Sequence, residues 1–298
     1  MAGLDQADDR RPRPARDPAA GGAPGRHRRA PGGRAVTAGR VALVSGAGRG
    51  IGAATARILG AGGYHVVVNY LNREDAAKEV VAAIETAGGS AEPFQADVRD
   101  GAAVAAMTAH IRDTRGRLDA LVCNANTAHP PFAQLDELSW ETFSAKVNSE
   151  LAGVFFLTQR ALELMRPRKS GRIVYVSSID ADAAAGSVAQ SAAKAALNTF
   201  SRHVAGHAGR SGISVNTISP GAVRTDASAT VNTPELRQYL RERSVLERML
   251  EPEDLGRVIA AFAGGSLVAA TGQVITVDGG MDVLAQQISL VGERTTLD

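Results

Sequence analysis

Arg40 to Ser45 (RVALVS) runs directly into Gly46-Ala47-Gly48-Arg49-Gly50-Ile51-Gly52, and these thirteen residues decide how the rest of the chain is read. The first six are apolar and β-prone, the glycines permit a tight turn, and Ile51 to Ala61 carries a helical pattern. Strand, glycine turn and helix in that order suit an anion: the backbone can approach closely, and the helix N-terminus meets the negative charge of a pyrophosphate. A glycine-rich turn alone also makes ordinary loops; the flanking strand and helix give this one its meaning.

Downstream the same alternation continues. Tyr64 to Asn69, Ala91 to Ala96, Leu118 to Asn124, Arg172 to Ser177, Ile213 to Ile218 and Gln273 to Val277 are short apolar runs. Helical stretches separate them, among them Glu74 to Ala87 with Val80, Val81 and Ile84 on one face. Strands this apolar, spaced by helices, predict an α/β fold with a parallel sheet covered on both faces. No internal repeat and no linker follow residue 40, so residues 37–298 are expected to form a single domain.

Composition bounds the function classes. The chain has 298 residues, 44% hydrophobic and 21% charged, enough to bury a sizeable core. One Cys excludes an internal disulfide and a Cys-based zinc site. No apolar run reaches the roughly 20 residues of a membrane helix. The net charge of +2 is unevenly placed: residues 1–35 hold eight Arg and four Asp, a local +4, leaving 25 basic against 27 acidic residues, or −2, in the remainder. Residues 1–36 are therefore expected to be a disordered Arg/Pro/Gly-rich tail, too poor in apolar groups to offset the entropy of ordering. They lack the apolar core of a signal peptide. The expectations are a cytoplasmic protein with no nucleic-acid partner and no membrane.

With the Gly46 to Gly52 turn followed in order by Asp97-Val98, Asn124-Ala125, Ser177-Ser178, Ser191-Ala192-Ala193-Lys194-Ala195, Pro220-Gly221 and Asp278-Gly279-Gly280, the sequence resembles the short-chain dehydrogenase/reductases, and among them the β-ketoacyl carrier-protein reductase branch. The glycine spacing is G-x-x-x-G-x-G. Asp97-Val98 follows the third strand, Asn124-Ala125 the fourth, Ser177-Ser178 ends the fifth, and Pro220-Gly221 ends the sixth. Thr271-Gly272-Gln273 and Asp278-Gly279-Gly280 close a collinear match over about residues 38 to 282. The resemblance implies a doubly wound, Rossmann-type sheet and an NADP(H) cofactor. It places Gly46, Arg49, Gly50, Ile51 and Gly52 at the phosphates, and Asn69 and Tyr70 near the adenosine ribose. Asp97 and Val98 go beside the adenine and Asn124 and Ala125 under the ribose. Pro220, Gly221, Val223 and Thr225 surround the nicotinamide. NADP(H) rather than NAD is expected from charge: the second strand ends in Asn69 and Tyr70 without a carboxylate, while Arg49 offers a planar fork to a 2′-phosphate.

The resemblance also implies catalytic Ser178, Lys194 and Asn148. In the family a Tyr four residues before the Lys handles the proton; here that residue is Gln190. A carboxamide can donate an N–H bond to a carbonyl oxygen but cannot surrender the proton. Lys194, Asp180, Asp182 and His129 are alternative donors, although a loop carboxylate or a loop His is more often a solvated surface group. His203 and His207 lie four apart on a helix without a third ligand, so no metal is expected. Thr233 to Arg248 reads as an amphipathic helix of Leu236, Leu240 and Leu246, part of a lid near residues 226–250. Two functions stay open: NADPH-dependent reduction of a small-molecule or carrier-bound carbonyl in fatty-acid, polyketide or other secondary metabolism, and a non-redox member such as a cyclase, dehydratase or inactive partner subunit. By resemblance a homodimer or homotetramer is expected.

Overall fold

Seven strands and seven helices alternate along the chain in a computed structural model that describes residues 39–128, 133–182, 187–225, 233–281 and 283. The strands are β1 Arg40–Val44, β2 Tyr64–Tyr70, β3 Ser90–Gln95, β4 Ala120–Cys123, β5 Gly171–Val176, β6 Ile213–Pro220 and β7 Val274–Val277. The helices are α1 Gly50–Ala61, α2 Glu74–Thr86, α3 Gly101–Arg115, α4 Trp140–Met165, α5 Val188–Ala208, α6 Pro234–Glu242 and α7 Pro252–Ala263. The expected tail at 1–36 lies outside the described residues.

Every strand pair is parallel, in the order β3-β2-β1-β4-β5-β6-β7. This is the doubly wound, Rossmann-type sheet expected from the alternation. Its two faces follow the period of two along each strand. Ala42, Val44, Val66 and Val68 join Leu59, Val80, Ile84, Leu255 and Ile259 from α1, α2 and α7 in one core. Val41, Leu43 and Val67 face Val104, Met107, Leu157 and Leu197 from α3, α4 and α5 in the other. Each fully buried Leu, Ile or Val contributes roughly 1.5–3 kcal/mol, so both faces are strongly held. Pro93 is tolerated because β3 is an edge strand, bonded only to β2.

The order reverses at β1, which has β2 on one side and β4 on the other. The crevice past the carboxyl ends of β1 and β4 is where such sheets bind ligands. Two element expectations change. β4 is shorter than Leu118 to Asn124 at both ends, and at its exit Asn124 turns its side chain back to Ser45 O and Gly46 O. The single helix expected over Thr233 to Arg248 stops at Glu242. The Ser244 amide bonds back to Arg241 O and the Leu246 amide donates to Gly279 O, so Leu246 leaves the helical stripe. No residue of α6 is buried.

Candidate active site

Two groups of side chains converge at the carboxyl end of the sheet. The first surrounds the glycine turn. Gly46 has φ +62°, and a Cβ there would lie 2.8 Å from Ala125 Cα; at Gly52 it would meet Asn124 Nδ2 and Gly46 O, each at 2.5 Å. Only glycine lets this turn press so closely against the exit of β4. Gly50 (φ +53°) packs toward Thr225, which brings the loop after β6 onto the same turn. Arg49, the N-cap of α1, makes no side-chain cap, and no acidic residue stands in the first turn. The helix N-terminus is therefore open to an anion, and these residues fit a pyrophosphate.

Asn124 and Asn69 brace this turn from below. Asn124 Nδ2 donates to Ser45 O (3.0 Å) and Gly46 O (3.1 Å), and the Asn124 and Ala125 amides donate to Ser45 Oγ. Asn69, 1% exposed, accepts from the Gly46 amide through Oδ1 and donates through Nδ2 to the carbonyls of Phe94 and Ala96. Both carboxamides are spent on backbone, so they shape the cradle. Tyr70 is buried. Arg49 is exposed and makes no ion pair with any described residue. Gly48 packs on Ala76 and Ala77 of α2, whose N-cap is the exposed Arg73. The Asp97 carboxylate is gripped by Arg99 Nη2 at 2.6 Å and Nε at 2.9 Å, which holds it below the usual carboxylate range; Val98 beside it is buried against Gly153. Gly221 lies against Asp278, and Val223 pairs with Leu250.

The second group lies at the ends of β4 and β5. Ser178 is half-buried directly after β5; its Oγ accepts from the Asp180 amide at 3.2 Å. The side chain of Gln190, in the first turn of α5, makes no hydrogen bond with any described residue. Lys194, one turn further on, is buried: its Nζ donates to Val176 O (2.9 Å) and to Glu150 Oε1 (2.5 Å). Glu150 Oε2 in turn accepts from Lys146 Nζ at 2.7 Å, and Lys146 Nζ donates to Asn126 Oδ1, also at 2.7 Å. The two ammoniums hold the Glu150 carboxyl below its ordinary range against a strong opposing effect of burial, while burial pushes the Lys146 amine down.

Asn148 does not join this group. It is exposed, and two residues along a helix turn it about 200° from Glu150. The α4 side chain that reaches Lys194 is Glu150. A signal was available: stepping back by three and four from the buried Met165, Ala161, Leu157 and Val154 lands on Glu150 and Lys146, the inward face of α4.

The other proton-donor candidates separate by environment. Burial pushes the Asp180 carboxyl up, although Ser178 hydrogen-bonds it and Lys194 attracts it. Asp182 is exposed, and His129 lies outside the described residues. The Tyr175 phenol is inside the core, 2.7 Å from Thr158 Oγ1, and takes no part. Cys123 is buried, which pushes its thiol well up. Among the described residues no group of three or more His, Cys, Asp or Glu could hold a metal ion, and no helix is long and apolar enough to cross a membrane. Of the arginines lining a cleft of about 690 Å³ beside α6 and α7, Arg224 is paired with Glu251 and Arg248 and Arg257 with Asp254.

Comparison with known proteins agrees with this architecture. The family model for enoyl-(acyl carrier protein) reductase matches residues 46–282. The chain is 37% identical over 249 residues to a 3-oxoacyl-[acyl-carrier-protein] reductase from Synechocystis, covering 83% of this chain and 98% of that one. It is 36% identical to versicolorin reductase 1 from Aspergillus parasiticus, covering 81% and 96%. A crystal structure of an actinorhodin polyketide ketoreductase variant with NADPH superposes with a TM-score of 0.76 at 30% identity, covering 81% of this chain and 97% of that one. Fold, glycine turn and relatives together place the chain in the short-chain dehydrogenase/reductase superfamily.

Proposed function

We propose that this chain is an NADPH-dependent ketoreductase acting on a small-molecule or carrier-bound carbonyl in fatty-acid, polyketide or other secondary metabolism, with an active site that lacks a phenolic proton donor. The observation that supports this reading is the bond from Lys194 Nζ to Val176 O, two residues before Ser178, in a sheet whose β1 exit carries a glycine turn with an open helix N-terminus. The relatives act in the same sense: one reduces 3-oxoacyl groups on a carrier protein, one is a versicolorin reductase, and one is a polyketide ketoreductase crystallised with NADPH. Gly46, Gly50, Ile51 and Gly52 would hold the pyrophosphate, Arg49 the 2′-phosphate, Asp97 and Val98 the adenine, and Pro220 to Thr225 the nicotinamide end.

Bound, the reduced nicotinamide supplies a hydride to the carbonyl carbon. The Ser178 hydroxyl and the Gln190 carboxamide donate hydrogen bonds to the carbonyl oxygen and stabilise the charge that develops on it. α6, with its Leu236 and Tyr239 unburied, would cover the substrate. Exposed Trp140 and Phe155 on α4 support a homo-oligomer. A second reading, a non-redox enzyme or inactive partner subunit, draws on Glu150, which already holds Lys194. Following the reduced-nicotinamide absorbance of purified protein with NADPH and a panel of ketones separates the two. Turnover is expected; NADPH binding without turnover on any carbonyl would sink the reductase reading and leave the second.

A further inference from the structure

A line of polar contacts crosses the interior from the glycine turn to the strand end that precedes Ser178. Asn124 Nδ2 donates to Ser45 O and Gly46 O. Two residues on, Asn126 Oδ1 accepts from Lys146 Nζ at 2.7 Å, and the same Nζ donates to Glu150 Oε2, also at 2.7 Å. Glu150 Oε1 accepts from Lys194 Nζ at 2.5 Å, and Lys194 Nζ donates again to Val176 O at 2.9 Å. The line joins β1, the segment after β4, α4, α5 and β5, and Glu150 is the member that touches both lysines.

Stability does not account for these charges. The Lys146, Glu150 and Lys194 side chains are 0%, 2% and 6% exposed, and α4 continues the same buried face with Val154, Leu157 and Ala161. Desolvation makes buried ion pairs so costly that well-packed apolar side chains in their place are often as stable or more so. What the pair does provide is a fixed geometry, and lysine needs one. Its four-carbon stem has wide rotamer freedom, and a single bond to Val176 O leaves the ammonium free to pivot. The second bond, to Glu150, fixes Nζ between α4 and β5 with one N–H left over.

Glu150 is itself clamped. Each of its oxygens is engaged by a different lysine, so the carboxylate cannot turn without losing one, and Lys146 is anchored on Asn126. The other polar groups facing the cluster do not replace it. Thr127 Oγ1 reaches Glu150 Oε2 only at 3.5 Å, Asp180 attracts Lys194 without a hydrogen bond between them, and burial keeps the Cys123 thiol protonated.

We propose that Glu150 is a positioning residue for the reduction: it holds Lys194 Nζ against Val176 O so that Lys194 meets cofactor and substrate in one orientation. Lys146 and Asn126 hold Glu150 in turn and tie Lys194 to the segment that braces the glycine turn. The catalytic consequence rests on the ketoreductase reading, in which Lys194 is the catalytic residue and Glu150 acts only through it.

Two measurements test this, and the first needs no cofactor. In a crystal structure of E150L, which has no acceptor at this position, Lys194 Nζ should leave Val176 O or occupy more than one position. A Lys194 that stays in place overturns the proposal. The second measurement is kinetic. With NADPH saturating, E150L should lower the single-turnover rate about 10- to 100-fold with substrate KM within about threefold, as a misplacement near 1 Å can do. E150D, which keeps the carboxylate, should recover part of the loss. In a K194M background the same E150L change should alter the rate by less than about threefold, because the group it acts through is gone. Equal losses in both backgrounds would mean a merely structural role and overturn the proposal. If E150L does not fold, K146M/E150L leaves one lysine rather than two without a carboxylate and is read against K146M. Wild-type protein that reduces no carbonyl removes the ketoreductase reading and with it the catalytic half, while the E150L structure still decides whether Glu150 holds Lys194.

Discussion

Replacing Glu150 by Gln removes the anion that two buried ammoniums share, and the structure fixes what that costs. Neither Lys146 nor Lys194 has another carboxylate at hydrogen-bond distance, and the side chains are 0% and 6% exposed, so water cannot take over. Breaking a buried pair by removing one partner costs about 3–5 kcal/mol, and here one removal strands two charges. At roughly 2–4 °C per kcal/mol for a domain of this size, E150Q should lower the melting temperature by about 6–20 °C at pH 7. The pH dependence carries the sign. In the wild type the Glu150 pKa is depressed, so its stabilisation is present above the ordinary carboxylate range and lost as pH falls through the folded value. In E150Q the burial that already pushes the Lys146 amine down acts without its opposing carboxylate. The folded state then binds fewer protons than the unfolded one, and the variant gains stability as pH rises toward 10. The gap between the two proteins is therefore widest near neutrality and narrows on both sides. Guanidinium unfolding at several pH values measures it. A gap under about 1 kcal/mol at pH 7, or one that widens toward pH 10, would refute the argument. The triple variant K146M/E150L/K194M, which removes all three charges together, should be at least as stable as the wild type.

Two further variants probe the cofactor and the proton. Arg49→Ala should weaken NADPH binding about 10- to 100-fold by fluorescence titration while leaving NADH unchanged, because the loss of charged hydrogen bonds is felt only by a 2′-phosphate; equal losses for both cofactors would assign Arg49 to the pyrophosphate instead. Asp180→Asn keeps a polar group beside Ser178 and should change the single-turnover rate by less than about threefold. A loss of about 100-fold with unchanged KM would assign the proton to the Asp180 carboxyl.

The sheet was legible because its signals are local. Apolar runs such as Arg40 to Ser45 and Tyr64 to Asn69 can only be buried strands, and the glycines at 46, 50 and 52 mark a turn that a Cβ would break. Less legible were elements whose limits depend on distant partners. β4 ends early where Asn124 binds Ser45, and α6 ends early because Leu246 is drawn to Gly279. Asn69 looked like a ligand contact at the end of a strand, but its hydrogen bonds lie across β2, β3 and the glycine turn, partners at separations that no local pattern contains.

By itself, then, the sequence determined the parallel α/β sheet, the glycine turn between β1 and α1, Ser178 directly after β5, Lys194 in a following helix, and a carboxamide at position 190. Tertiary structure alone decided what Lys194 touches. Asn148 and Glu150 are two residues apart, and only the phase at which α4 packs its Val154, Leu157 and Ala161 stripe on the sheet turns Glu150 inward and Asn148 to solvent. That rotation buries Lys146 on the same carboxylate that holds Lys194.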